Sequence, residues 1–300
     1  MKNLLLALVL CLSTTLAFAS IPDTEKEALL SLFKSTNGEN WTNSWDLNTD
    51  VETWYGIEIE NGHVISIDLS FNNLVGQLPE SIGDLNELRH INFYRNRLFG
   101  NIPFSIGNLA QLEILNIAFN SIGGQIPHSI ENLKQLKGLH LFMNRLEGEL
   151  PSGLTKLENL ESLELFSNNL RGQIPEAIGN LSNLKVMSLS SNHLTGRIPS
   201  GISGLSSLER LELYDNKFFG TIPSGIGQLE NLQEILISDN ALYGQVPSEL
   251  KQLSNLKILM LNNNDLSGDF SELYTEFANL EQFEVDNLSE NNSTAVANND

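Results

Sequence analysis

The sequence has a single cysteine, Cys11, so neither a disulfide framework nor a zinc site built from cysteines is possible. Basic residues are also scarce, since 17 Lys and Arg stand against 37 Asp and Glu and the formal net charge is −20. We therefore expect no basic patch that neutralises phosphates, which disfavours nucleic acids and anionic membrane surfaces as partners. No apolar run reaches transmembrane length, so no membrane insertion is expected.

The first 19 residues have the layout of a secretory signal peptide. Lys2 precedes a short apolar run over residues 4–10, and the small-residue segment 17–19 follows. The apolar run is too short to span a bilayer, which makes a membrane anchor the weaker interpretation. Removal of residues 1–19 leaves 16 basic and 37 acidic residues, a net charge of −21, and no cysteine. We predict a chain that is secreted or held at the cell surface.

Proline marks an internal repeat. Eight of the nine prolines lie 24 residues apart, at Pro79, Pro103, Pro127, Pro151, Pro175, Pro199, Pro223 and Pro247. A fixed period of this length indicates a solenoid of stacked units rather than one compact core. Aligned on these prolines, residues 64–255 form eight uninterrupted 24-residue repeats, called coils one to eight, which begin at Val64, Leu88, Leu112, Leu136, Leu160, Leu184, Leu208 and Leu232.

Three segments follow or precede this array. Residues 20–63 are predicted to form an N-terminal cap, and residues 286–300 carry almost no apolar bulk and are expected to be a disordered tail. Residues 256–285 are predicted to be a degenerate ninth coil and a C-terminal cap. This segment ends in a strand over residues 280–285, preceded by apolar residues at helical spacing, which are Phe270, Leu273, Phe277 and Leu280.

Each coil follows the template LxxLxLxxNxLxGxIPxxIGxL. In its LxL segment, Leu163 and Leu165 point to one side and Glu164 to the other, which indicates a short strand with one buried face. The asparagine at position nine is expected to be buried and to satisfy backbone groups of the turn. The glycine at position 13 suits a positive φ, and the proline holds the return leg extended. We predict one strand per coil, and parallel strands joined in this way form a right-handed solenoid.

This template resembles the extracellular leucine-rich repeats of plant receptor-like proteins and polygalacturonase-inhibiting proteins, over residues 64 to about 270. The resemblance implies an α/β fold, a leucine-rich repeat right-handed solenoid with a parallel concave β-sheet and a helical N-terminal cap. It also implies a function as an enzyme inhibitor or as a peptide receptor, and it does not distinguish between the two. Plant caps have cysteines where this chain has Val51, Glu52 and Ile59, which favours a bacterial secreted homologue.

The N-terminal cap is therefore expected to rely on packing in place of disulfides. Residues 24–34 have apolar side chains at helical spacing, and Thr24 and Glu27 are placed for a capping box. The aromatic side chains predicted to hold the cap are Trp41, Trp45, Trp54 and Tyr55.

Reactive groups do not converge in this sequence. No HExxH or GxSxG motif is present, and no cysteine nucleophile remains after the signal peptide. The five histidines fall in the cap, in different coils or on different legs of a coil, and a calcium site near Asp215 and Asp239 is only a weak alternative. We predict a protein that is not an enzyme and that has no cofactor.

The outward positions of the strands are where a rigid concave sheet binds partners. Positions seven and eight hold several aromatic residues in coils one to five, whereas coils seven and eight turn acidic. We predict that the ligand-binding residues are Tyr94, Arg95, Phe119, Phe142, Phe166 and Tyr214. The alternative is that rings in neighbouring coils only stack and stiffen the sheet, and the sequence leaves both open.

Three functions compete. The first is a secreted recognition module that binds a protein or peptide along the concave face, supported by the aromatic residues beside an acidic half. The second is carbohydrate or cell-surface adhesion, because aromatic rings over a polar sheet also suit sugar rings, so a polysaccharide is a possible partner. The third is ice binding, which some solenoids perform through regular arrays of small hydroxyl residues. Position ten shows no such array, so ice binding ranks last.

Overall fold

The computed structural model describes residues 21–268, 277 and 279–285. The predicted signal peptide, the predicted disordered tail, and Phe270 and Leu273 of the predicted C-terminal cap lie outside these residues. Within the described ranges, no helix has the length and apolar character needed to cross a membrane.

The N-terminal part begins with an α-helix, Asp23–Ser35. This helix starts directly after Pro22, and no side chain caps its first turn, so the predicted capping box of Thr24 and Glu27 is wrong. The reason is positional, because Pro22 occupies the capping position and Thr24 already lies inside the first helical turn.

Three tryptophans and Phe33 form the core beneath this helix. Ring centroids lie 5.2 Å apart for Phe33 and Trp41, 4.9 Å for Trp41 and Trp45, and 4.7 Å for the stacked pair Trp45 and Trp54. Each indole N–H donates a hydrogen bond to a backbone carbonyl, as buried tryptophans require. The side chain of Tyr55 is 48% exposed, so the prediction that it helps to hold the cap is wrong.

Addition of a thiol reductant is expected to leave the melting temperature unchanged, because no cysteine remains after residue 19 and packed rings hold the N-terminal part. Calorimetry of residues 20–300 with and without reductant measures this. As a positive control, Trp45→Ala removes a buried ring and is expected to lower stability by about 3–5 kcal/mol. A melting temperature that falls on addition of the thiol would contradict the prediction.

A sheet of 11 strands, called the main sheet, runs along the array. Its first two strands, Ile57–Glu60 and His63–Asp68, pair antiparallel, and every later strand pairs parallel with the strand one coil earlier. The register advances by one repeat per strand, so Leu163 pairs with Leu139 and Met187 and equal positions form columns. The later strands are His90–Asn92, Ile114–Asn116, Gly138–His140, Ser162–Glu164, Val186–Ser188, Arg210–Glu212, Glu234–Leu236, Ile258–Met260 and Gln282–Glu284.

Each coil also carries a second short strand, so the prediction of one strand per coil is wrong. These strands span only positions 10–14, too short a stretch for a clear alternation of apolar and polar residues. Three form a first flanking sheet, Val75–Gly76, Arg97–Asn101 and Ser121–Gly123. Six form a second flanking sheet, Glu147–Glu149, Asn169–Gly172, His193–Gly196, Lys217–Gly220, Ala241–Gln245 and Asp265–Ser267.

The return leg of each coil is a 3₁₀ helix that follows the repeated proline. These helices are Glu80–Asp84, Phe104–Asn108, His128–Asn132, Ser152–Lys156, Glu176–Asn180, Ser200–Gly204, Ser224–Gln228 and Ser248–Gln252. Two more, Gly38–Asn40 and Val51–Thr53, lie in the N-terminal part. The Leu and Ile residues of the template are buried between the main sheet and these legs, which closes a continuous core only when coils stack.

The asparagines at position nine satisfy backbone groups of the turn, as predicted, and they also join neighbouring coils. Asn72, Asn168 and Asn192 are buried as expected, whereas the other six are half-buried. The side-chain oxygen of Asn96 accepts a hydrogen bond from the backbone N–H of Leu74, one coil earlier, at 2.9 Å. Its amide donates to the carbonyls of Leu69 in that coil and Phe93 in its own. The same pattern recurs through Asn264, and the glycine at position 13 has a positive φ in every coil. This asparagine ladder satisfies backbone groups that the main sheet leaves unpaired.

The strand His63–Asp68 is tied to the α-helix by an ion pair that predicts a pH effect. His63 Nδ1 lies 2.6 Å from Oε1 of the buried Glu25, whose hydrogen bond and negative charge raise the pKa of His63 despite partial burial. A raised pKa in the folded state means that the stabilisation is complete below the ordinary pKa of about 6.5 and is lost as the pH rises through the folded value.

We therefore expect the melting temperature of the wild-type chain to fall, relative to that of His63→Gln, as the pH rises from about 6 to 8. Thermal melts of both chains across this range measure the difference. Parallel curves for the two chains would show that the pair does not contribute.

Candidate ligand-binding surface

The outward face of the main sheet ends in a repeated left-handed turn. In every coil the residue at position eight has a φ between +51° and +55°. These residues are Phe71, Arg95, Phe119, Met143, Ser167, Ser191, Asp215, Asp239 and Asn263. A positive φ is uncommon for bulky residues, and here it recurs directly before the asparagine ladder, whose hydrogen bonds hold the turn.

Aromatic rings from the first five coils form one continuous cluster on this face. We call Phe71, Tyr94, Phe119, Phe142 and Phe166 the aromatic strip. Ring centroids are 5.2 Å apart for Phe71 and Tyr94, 5.5 Å for Tyr94 and Phe119, and 5.8 Å for Phe119 and Phe142. Phe142 and Phe166 stack nearly parallel at 4.5 Å. Phe71 and Phe119 are at position eight and the other three rings are at position seven, so the strip bridges five coils.

Arg95 lies between two rings of the strip. Its guanidinium is 5.5 Å from the centroid of Phe71 and 5.8 Å from that of Phe119, within the range of cation–π attraction. Among the described residues, no carboxylate forms an ion pair with Arg95, and its side chain is exposed. Its charge therefore stays open to an anionic group of a ligand.

The structure adds two residues that the sequence-based set omitted. Phe71 is 59% exposed and starts the strip, and Met143 is 39% exposed beside Phe119 and Phe142 in the same rows of the sheet. Both occupy position eight, so the repeat alignment already contained the signal. Tyr94, Phe119, Phe142 and Phe166 are half-buried, because each ring packs on its neighbours.

Tyr214 is separate from the strip. It lies two coils beyond Phe166, and among the described residues no ring contact joins the two. Between them Ser190 is fully buried, and its hydroxyl has no hydrogen-bond partner. Burial raises the pKa of the Tyr214 hydroxyl, and the negative charges of Glu212 and Asp215 raise it further. Tyr214 therefore belongs to the acidic end of this face.

Small residues at position seven do not reach the outward surface. Ala118, Ser190 and Ser238 are buried, although the alignment places them in an outward column. Each one lies in register between larger side chains of the adjoining coils. A side chain at an outward position of the sheet is therefore not necessarily exposed to solvent.

Most acidic residues on the main sheet are already paired. Arg210 lies 2.9 Å from Glu234 and 3.7 Å from Glu212, and Ser188 donates a hydrogen bond to Glu212. Asp215 remains exposed and without an ion pair among the described residues.

The histidines do not gather into one site within the described residues. His140 Nδ1 lies 3.1 Å from Glu164, and this hydrogen bond, helped by one from Ser162, lowers the pKa of Glu164 despite partial burial. Within the described ranges, no group of three or more His, Cys, Asp or Glu side chains is placed to hold a metal ion. The pair has the geometry of a surface ion pair.

A few of the scarce basic residues gather at the second flanking sheet. Arg171, Arg197 and Lys217 are exposed on its outward side in coils five to seven, together with His193. Composition averages over the chain, so it could not reveal that these charges share one surface.

A family model described as a leucine-rich repeat region matches residues 64–171 and 166–297. Polygalacturonase inhibitor 2 of Arabidopsis thaliana is 34% identical over 97 residues, which cover 31% of this chain and 29% of the inhibitor. The chain thus spans less than a third of that relative.

Two solved structures are similar over more of the chain. A plant peptide hormone receptor, RGFR1 in complex with RGF2, is 39% identical with a TM-score of 0.67, over 67% of this chain and 32% of the receptor chain. A plant ice-binding protein is 30% identical with a TM-score of 0.77, over 89% of this chain and 87% of that protein. Since the family model covers most of the sequence and the coils stack in its register, the chain belongs to the leucine-rich repeat family.

Proposed function

We propose that this chain is a secreted, non-enzymatic recognition module that binds a protein or peptide along the outward face of the main sheet. The observation that carries the proposal is the aromatic strip, a continuous row of partly exposed rings on a protein of strongly acidic composition. Contiguous exposed apolar surface of this kind marks interaction sites, and binding energy concentrates in such large side chains.

The strip favours an extended ligand that crosses the strands. One ring per coil recurs at the strand spacing of about 4.8 Å, so a single chain can contact several rings in succession. Arg95 offers an unpaired cation at one end of this path, and Asp215 and Asp239 offer exposed carboxylates toward the other. A peptide with apolar side chains, an acidic group near coil two and a basic group near coils seven and eight fits this distribution of charge.

The similar proteins support this choice of ligand class. One is named a peptide hormone receptor and was solved in complex with RGF2, and another is named a polygalacturonase inhibitor. Because the chain spans about a third or less of each, their partners indicate a class and not an identity. The predicted signal peptide supports secretion.

A peptide display library screened against residues 20–300 tests the proposal. Peptides retained by the wild-type chain are then offered to the double variant Phe71→Ala/Phe119→Ala, which removes two rings of the strip. The matched control is Phe219→Ala/Tyr243→Ala, which removes two similarly exposed rings from the second flanking sheet. Peptides that bind the control and not the strip variant support the proposal, and equal binding to all three chains rejects it.

Carbohydrate or cell-surface adhesion is the second candidate, and a glycan array beside the peptide screen separates the two. Ice binding is the third, and the similarity to a plant ice-binding protein keeps it in consideration. At position ten the chain has residues of mixed size and charge, such as Arg145, Asn169 and His193, rather than one repeated hydroxyl. A thermal-hysteresis measurement decides whether the chain binds ice.

A further inference from the structure

The second flanking sheet carries a local reversal of charge. In coils five to eight, the outward positions 10, 12 and 14 hold no Asp or Glu, although acidic residues outnumber basic ones by 20 in the chain. The basic side chains there are Arg171, Arg197 and Lys217, with His193 beside them, and all four are exposed. Two exposed aromatic residues accompany them, Phe219 on the same strand as Lys217 and Tyr243 on the next strand. We call these six residues the flank patch.

The cations of the flank patch have no partners within the described structure. No carboxylate lies within ion-pair distance of Arg171, Arg197 or Lys217 among those residues, and no hydrogen bond uses their charged groups. Two lysines beside strands of the main sheet behave differently, since Lys137 and Lys185 bind carboxylates of the preceding coil at 2.7 Å and 2.6 Å. Unpaired cations grouped on an acidic protein indicate a surface suited to an external anion.

The backbone places these cations on three successive coils, with Glu149 opposite Arg171 on the side of coil four. Arg171 lies directly opposite His193 in the parallel register, and Lys217 lies opposite Thr195, on strands about 4.8 Å apart. The stem of Arg197 lies over Gly220, where the Cγ atom is 3.0 Å from the position that a Cβ would take. Gly220 therefore leaves the space in which Arg197 extends toward the next coil.

A shallow depression of about 530 Å³ lies between Arg171 and Lys217, and Arg197 lies outside its lining. Arg171, His193, Thr195 and Lys217 line it, and Glu147 lies at its coil-four end. Beyond it, Phe219 and Tyr243 are each 44% exposed on adjacent strands. The surface thus combines a groove with cations on its walls and flat rings at one end.

We propose that the flank patch binds an anionic polysaccharide strand, one that carries carboxylate or sulfate groups. The guanidinium groups of Arg171 and Arg197 are suited to bidentate contact with such groups, and Lys217 adds a point charge. Phe219 and Tyr243 provide apolar faces on which the C–H face of a sugar ring packs.

A polysaccharide fits the flank patch better than other polyanions. Strand addition by an acidic peptide is excluded, because it needs a free sheet edge and the inner strands of this surface are paired on both sides. An acidic peptide that lies across the sheet face is the case that poly-glutamate binding tests. Nucleic acids need more phosphate contacts than three cations provide against the repulsion of the remaining acidic surface. This site lies on a different sheet from the aromatic strip, so the proposed polysaccharide binding is independent of the proposed peptide binding.

Binding of fluorescent alginate and dextran sulfate to residues 20–300 at low ionic strength tests the proposal, with neutral dextran and poly-glutamate as comparisons. The test variant is Arg171→Gln/Arg197→Gln/Lys217→Gln. The matched control is Arg89→Gln/Lys137→Gln/Lys185→Gln, which removes the same three charges from ion-paired positions of the main sheet. A second test variant, Phe219→Ala/Tyr243→Ala, removes the rings, and melting curves establish that each chain folds.

We expect the wild-type chain to bind alginate, dextran sulfate or both, and neutral dextran weakly or not at all. The triple flank variant is expected to bind roughly tenfold more weakly, while the matched control keeps its affinity. The ring variant is expected to weaken binding of the polysaccharides and not of poly-glutamate. Equal losses in both triple variants, no binding of either polysaccharide, or poly-glutamate binding as tight as that of alginate would each overturn the proposal.

Discussion

Asn168→Ala is expected to lower the free energy of unfolding by about 3 kcal/mol, whereas Asn169→Ala, one residue later, changes it by less than about 0.5 kcal/mol. The side-chain oxygen of Asn168 accepts a hydrogen bond from Leu146 N–H at 2.9 Å, and its amide donates to the carbonyls of Leu165 and Leu141. All of these groups are buried, so alanine leaves them without partners in a place that water does not reach. Asn169 is exposed, and its side chain makes no hydrogen bond in the described structure.

Chemical denaturation and thermal melts of both variants measure the difference. A loss of this size corresponds to a fall in melting temperature of roughly 5 °C for a chain of this length, since the unfolding entropy is about 2.1 cal/mol/K per residue. Asn168→Asp is an informative third variant, because it keeps the acceptor, loses the donors and buries a charge at neutral pH, so it is expected to be at least as destabilising as alanine. Equal effects at positions 168 and 169 would show that the ladder does not carry this part of the stability.

Much of the fold follows from the repeat itself. A 24-residue period without insertions fixes the register of the main sheet, since equal positions must lie side by side when coils stack. The role of Asn96 and its equivalents follows from chemistry, because a buried amide must find both donors and acceptors. The positive φ of glycine at position 13, for example +80° at Gly172, follows from its freedom from a Cβ.

Other features do not follow from the sequence, for physical reasons. The left-handed conformation of Phe119 and Met143 opposes their intrinsic preference, and only the hydrogen bonds of the folded turn impose it. The flanking strands are too short to show a period. The capping position of Pro22 depends on where the helix packs, which local pattern does not fix.

The sequence predicts which repeat positions of the candidate site line up in columns, but it does not predict which side chains in those columns are exposed. Repeat alignment correctly groups Tyr94, Phe119, Phe142 and Phe166 in successive coils, and the structure places their rings in contact. The alignment does not show which small residues lie beneath larger neighbours, as Ser190 does. The net charge also does not show where the few cations gather, because residues that share one surface lie whole coils apart in the sequence.

The contacts within the aromatic strip mean that each ring has two separable effects. Phe142 touches Tyr94, Phe119 and Phe166, and each aromatic pair contributes about 0.5–1.5 kcal/mol beyond buried area, so its loss destabilises the sheet. Phe71 lies at the edge, with one ring contact and the Arg95 guanidinium beside it, and its truncation leaves the rest of the strip intact. The two residues therefore distinguish packing from binding.

With a peptide from the display screen in hand, Phe142→Ala is expected to weaken binding by about 2 kcal/mol, roughly 30-fold, and to lower the melting temperature. Phe71→Ala is expected to weaken binding of a peptide that spans coil one with little change in melting temperature, because most of its ring faces solvent. Isothermal titration calorimetry and thermal melts of the same preparations give both quantities.

The control for this experiment is Phe219→Ala, an aromatic residue of comparable exposure on the second flanking sheet, which is expected to leave peptide affinity unchanged. The serines at position seven are unsuitable controls because Ser190 and Ser238 are buried. If Phe71→Ala and Phe142→Ala both bind the peptide as the wild-type chain does, while Phe142→Ala melts at a lower temperature, the strip stiffens the main sheet and the ligand contacts other residues. If both variants lose affinity and only Phe142→Ala loses stability, the rings serve both purposes. The exposure of a ring, rather than its packing, then determines whether the ligand contacts it.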